Sequence, residues 1–163
     1  MENERLISWE PFEEKPFDRF DKPMCLTNLQ FDGELFILTF SSDGSKEYTF
    51  TYKRTETHFY PIRTFRVLEE VTRGDIEELI HNAFLEREKE GLPRATYNTT
   101  FYKVENSTYL SWNQELDPSL PRPQNCTLEH HLYITSDYFI DVLSEIQPVI
   151  TISKINNSDN SSI

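Results

Sequence analysis

The sequence predicts an α+β domain, a mostly antiparallel sheet of about six to eight strands with one main amphipathic helix packed on one face. Three observations carry this expectation. Short runs of alternating aromatic and β-branched residues flank a single segment with helical periodicity. With 37% hydrophobic and 13% aromatic residues, the chain can bury a core despite its acidity. Its 163 residues fit one domain.

Residues 1–23 read as an extended arm. Pro11, Pro16 and Pro23 forbid one continuous helix, since each interior proline costs about 3 kcal/mol. Trp9, Phe12, Phe17 and Phe20 forgo roughly 1.5 to 3 kcal/mol apiece if left in water, so the arm is expected to dock along its middle and fray at its end. A single domain then spans 24–153. Within it, 34–40 reads as a strand, 41–45 as a turn centred on Asp43-Gly44, and 46–53 as the returning strand, with Tyr48, Phe50 and Tyr52 on one face. Residues 58–67 continue as an edge or bulged strand interrupted by Pro61.

The helix is expected over 75–90. Ile76, Leu79, Ile80, Ala83 and Phe84 fall on one stripe, Asp75 and Glu78 have capping-box spacing, and Gly91-Leu92-Pro93 stops it. Further strands are expected at 95–104, 108–112, 128–135, 138–143 and 149–152, with Ser136-Asp137 as a two-residue hairpin loop. Pro118, Pro121 and Pro123 make 113–125 a long loop and a candidate contact site, and 154–163 reads as a disordered tail. No internal repeat is visible.

The net charge is −12, from 16 Lys and Arg against 28 Asp and Glu. Such a chain repels phosphate, which disfavours nucleic acid as a partner. The charge is uneven: residues 69–90 hold eight acids against three bases, residues 104–147 hold seven acids against Arg122 alone, and residues 43–66 hold five bases against three acids. A clustered negative face speeds capture of a basic protein, although solubility alone also accounts for it.

No stretch of about 18 apolar residues could span a bilayer, and the polar, acidic start is unlike an export signal, so a cytosolic protein without membrane contact is expected. The five glycosylation-type triplets, beginning at Asn98, Asn106, Asn125, Asn156 and Asn160, then read as chance. Cys25 and Cys126 lack CxxC spacing and read as idle thiols.

No cofactor is expected, because the four glycines form no phosphate-binding loop. No metal is expected either, since His130 and His131 point to opposite faces of a strand, and His58 and His81 are remote. Structural or surface histidines are the expectation. On an extended strand Cys126 and His130 stand some 13 Å apart, too far for a nucleophile and its base. The strand aromatics suit a core better than a base-stacking platform, having basic neighbours only at Lys53, Arg54, Arg63 and Arg66.

The stretch Glu129-His130-His131-Leu132-Tyr133-Ile134-Thr135-Ser136-Asp137-Tyr138-Phe139-Ile140-Asp141-Val142-Leu143-Ser144, followed by Pro148, resembles the closing hairpin of small bacterial immunity proteins of contact-dependent growth inhibition and polymorphic toxin systems. The resemblance implies a non-enzymatic cytosolic protein that binds and neutralises a cognate toxin domain, commonly a basic nuclease. The resemblance maps no binding residue; the charge pattern makes Glu78, Leu85 and Glu88 on the helix, Asp117 in the proline-rich loop, and Glu129, Asp137 and Asp141 near the hairpin the candidate contacts. Two rival readings are a small hydrolase or nuclease using His130 with a carboxylate, and a phage-type DNA mimic.

Overall fold

The computed structural model describes residues 3–10, 23–42, 46–93, 99–116 and 128–155. Among the described residues it is an α+β fold of nine strands in two antiparallel sheets, not one sheet of six to eight. In chain order the elements are β1 (Arg5–Ser8), β2 (Cys25–Phe31), β3 (Leu35–Ser41), β4 (Lys46–Lys53), β5 (Thr64–Glu69), a 3-10 turn (Glu70–Thr72), α1 (Gly74–Lys89), β6 (Phe101–Glu105), α2 (Thr108–Leu116), β7 (Glu129–Ile134), β8 (Tyr138–Ser144) and β9 (Val149–Lys154). One sheet has the order β1-β6-β7-β8-β5 and the other β2-β3-β4-β9.

Period-two alternation stacks these sheets. Phe36, Leu38 and Phe40 of β3 lie opposite Tyr52, Phe50 and Tyr48 of β4, and all six are at most 1% exposed. They meet Phe101, Tyr133, Ile140 and Val142 from one face of the five-stranded sheet. That sheet's other face carries Leu6, Tyr102, Val104, Leu132, Ile134 and Phe139, and buries Ile76 and Ala83 of α1. The five-stranded sheet is therefore the middle of three layers. This explains why β7 and β8 are buried on both faces, as central strands between two covers must be.

The expected helix lies at Gly74–Lys89 without the capping box: Arg73 is the N-cap, and no side chain caps there. Asp75 instead turns back to the Arg73 guanidinium at 3.0 Å. Gly91, at φ 72°, ends the helix in the left-handed conformation.

Residues 108–116 are a correction: 108–112 are the start of α2 rather than a strand, and 113–116, expected in the long loop, are its end. Ser107 Oγ accepts the Leu110 N–H at 3.0 Å, and the Glu4 carboxylate accepts the Thr108 N–H at 3.0 Å. These caps override the β-type composition of Thr-Tyr-Leu-Ser-Trp. Of the 58–67 segment only β5 pairs, as the edge of the five-stranded sheet. Two further strands were not foreseen as such: β2, and β1 inside the stretch read as an arm. β7 and β8 join through Ser136 and Asp137, closed by the Thr135 hydroxyl, which accepts the Tyr138 N–H at 2.9 Å. The 43–45 turn, residues 11–22, 94–98, 117–127 and the 156–163 tail lie outside the described residues. Among the described residues no helix is long and apolar enough to cross a membrane.

Candidate functional site

Two polar networks start from adjacent residues of β7. His130 and His131 point to opposite faces, as strand geometry requires, and are 3% and 0% exposed. Burying polar rings so deeply is stable only if their nitrogens are hydrogen-bonded, and both rings satisfy this condition.

On the helix side, His130 Nε2 is 2.8 Å from Asp141 Oδ1, its diagonal neighbour on β8. A carboxylate only accepts, so Nε2 carries the proton, and in the neutral ring Nδ1 accepts the Ser107 hydroxyl at 2.7 Å. The other Asp141 oxygen accepts Arg66 Nε at 2.6 Å and Arg73 Nη1 at 3.0 Å. Burial alone pushes the Asp141 carboxyl up, but the His130 and Arg66 hydrogen bonds and charges outweigh it and hold the group below its ordinary value.

On the sheet side, Tyr52 OH is 2.6 Å from His131 Nδ1 and 2.5 Å from Tyr133 OH. His131 Nε2 is 2.9 Å from Glu129 Oε2, which also accepts Lys103 Nζ at 2.7 Å and Gln147 Nε2 at 2.5 Å. The proton order follows from the chemistry of the groups. With Nε2–H donated to the carboxylate, Nδ1 accepts from Tyr52, and Tyr52 in turn accepts from Tyr133. Trp9 stacks on the imidazole at 4.4 Å and 25°. Desolvation holds His131 below its ordinary value and both tyrosines above theirs. Glu129, hydrogen-bonded by His131 and then by Lys103 and Gln147, is lowered to about 2.

The predicted contact residues do not form one patch. Asp141 is a correction: it is 0% exposed and cannot meet a partner, because two arginines and a histidine enclose it. Glu129 is half-buried and committed to its three internal donors. Glu78, Leu85 and Glu88 lie exposed on α1, and Asp137 is exposed at the β7–β8 turn. Asp117 and Cys126 lie outside the described residues, whereas Cys25 is a free, exposed thiol. Sequence reasoning missed Ser107, Arg66 and Arg73. Ser107, three residues before Leu110, carries an N-cap signal; nothing local marks the two arginines as partners of Asp141.

The ring of Ser107, His130 and Asp141 has the connectivity of a hydrolase relay, but its surroundings oppose that use. Ser107 is 5% exposed, and its oxygen already holds the first turn of α2. The Tyr109 ring packs edge-on against the imidazole at 5.6 Å. Among the described residues no group of three or more His, Cys, Asp or Glu side chains could hold a metal ion. No known protein family, curated protein or solved structure matches the chain.

Proposed function

We propose that the chain is a binding protein that captures a basic protein partner on the outer face of α1, in the manner of an immunity protein that neutralises a toxin domain. One observation carries this reading: the exposed acids of α1 outnumber its exposed bases. Arg73 at the N-cap pairs with Asp75 and Asp141, Arg87 with Glu10 and Glu86 with Arg5, which leaves Glu77, Glu78 and Glu88 exposed without an ion pair among the described residues, beside the single exposed Lys or Arg of the helix, Lys89. Leu85, 38% exposed, adds an apolar contact within this acidic face. Such a surface steers a cationic partner and offers its active-site cleft an anionic plug.

The test is to titrate the chain with a basic protein encoded beside its own gene at low and high salt. The reading expects tight binding that weakens as salt rises; no complex at low salt overturns it. A second reading, a serine hydrolase built on Ser107, His130 and Asp141, is favoured by the 2.7 and 2.8 Å contacts of that relay. Labelling of Ser107 by a fluorophosphonate would put it first, and failure to label would remove it.

A further inference from the structure

The side of the molecule where α2 meets the edge strand β5 carries a feature that the acidic face of α1 does not use. α2 leaves Trp112 51% exposed and Leu116, one turn further on, 63% exposed. Trp112 stacks on Tyr109 with centroids 5.7 Å apart and planes 14° apart. The Arg66 guanidinium lies over the same Tyr109 ring at 4.1 Å. With Thr64, Phe65 and Thr108, these three side chains line a groove of about 500 Å³.

Arg66 is held from behind. Its Nε donates to fully buried Asp141 at 2.6 Å, yet the side chain stays 37% exposed, and among the described residues its two Nη groups have no hydrogen-bond partner. A guanidinium fixed at one edge and stacked on a phenol presents its remaining donors in a plane, an arrangement that fits the two oxygens of a carboxylate. Beside it, the half-exposed Trp112 indole, backed by the buried Tyr109 ring, offers a flat apolar face to the body of the same molecule. Glu4, bonded to Thr108 at 3.0 Å, and the net charge of −12 penalise a dianion more than a monoanion. A groove of this size suits a small molecule.

From this geometry we infer that the β5–α2 groove is a binding site for a small aromatic monocarboxylate, its carboxylate on Arg66 and its ring against Trp112. The inference uses none of the α1 contacts, and its test needs no protein partner. The full chain, labelled with ¹⁵N, is titrated to about 10 mM with phenylacetate, its neutral isostere phenylacetamide, and inorganic phosphate.

Saturable shifts of the Trp112 indole N–H and of backbone amides at 64–66 and 108–112 are expected with phenylacetate. Phenylacetamide should bind at least about tenfold more weakly, and phosphate should leave those signals in place. Trp112→Ala removes an exposed side chain and should weaken phenylacetate at least about fivefold; Arg66→Lys, which keeps the charge but loses the parallel donors, should do the same. Should Arg66→Lys fail to fold, Trp112→Ala and the amide comparison decide. Equal binding of the amide, the same shifts from phosphate, or no saturable shift at these residues overturns the inference.

Discussion

His130 and His131 are neighbours in the chain, yet the networks around them are built from opposite materials. The helix-side network is ionic: one buried carboxylate faces two guanidinium groups and an imidazole. The sheet-side network is a directed chain of neutral donors, phenol to phenol to imidazole, that reaches a carboxylate only at its half-exposed end. The difference teaches where each cover of the middle sheet gets its specificity. The helices are both tied to one buried carboxylate, since Arg73 at the N-cap position of α1 donates to Asp141 directly and Ser107, which caps α2, reaches it through His130. The four-stranded sheet is positioned by aromatic packing, with Tyr52 as a hydrogen-bonded crosslink.

The largest effect should come from breaking the ionic network. Asp141→Ala leaves two arginines facing an empty acceptor and should destabilise the fold by about 3 to 5 kcal/mol in urea unfolding. A loss below about 1 kcal/mol would show that Arg66 and Arg73 relax to water at no penalty, and the contrast between the networks would fail. Tyr52→Phe should cost less, about 1 to 3 kcal/mol, because it strands the His131 Nδ1 acceptor without leaving a bare charge. Tyr133→Phe removes only the terminal donor of that chain and should be milder than Tyr52→Phe; the reverse order would contradict the proton direction assigned here.

Acid should loosen the sheet-side network in two steps. Because burial holds the His131 imidazole below its ordinary value, the unfolded chain takes up that proton first on acidification. Stability should therefore fall as pH drops from about 6.5 toward the lowered value of the folded state. Glu129 adds a second loss at lower pH: its folded value of about 2 lies below the ordinary 4.5, so its contribution is present above 4.5 and disappears as pH falls toward 2. Ring-proton shifts of His131 in the folded protein report the first step directly, and a midpoint at or above the ordinary value would contradict it.

The local layers of this fold are legible in the sequence because they are written in periods and apolar runs. Five apolar residues at helical spacing define α1, alternation defines β4, and short near-continuous apolar runs define β3, β7 and β8. The opposite orientation of His130 and His131 follows from the alternation of any strand. The split into two sheets is not legible, since a strand that buries one face reads alike whichever sheet it joins. α2 is hidden because Thr, Tyr and Trp favour strands, while its caps come from Ser107 and from Glu4, a residue 104 positions away. Asp141 looked like surface for a similar reason: its arginine partners lie 75 and 68 residues away in sequence, and no local pattern announces a carboxylate neutralised at that range.

The smallest effect on stability should accompany the largest effect on function. The double variant Glu78→Lys/Glu88→Lys alters exposed side chains without ion pairs, so its unfolding free energy should stay within about 0.5 kcal/mol of the parent. The parent and this variant should therefore be titrated, across a salt series, with a basic protein encoded beside the gene of this chain. The variant, folded as before, should bind at least about tenfold more weakly at low salt and show a flatter salt dependence. Unchanged affinity with unchanged salt dependence would contradict capture of the partner on α1.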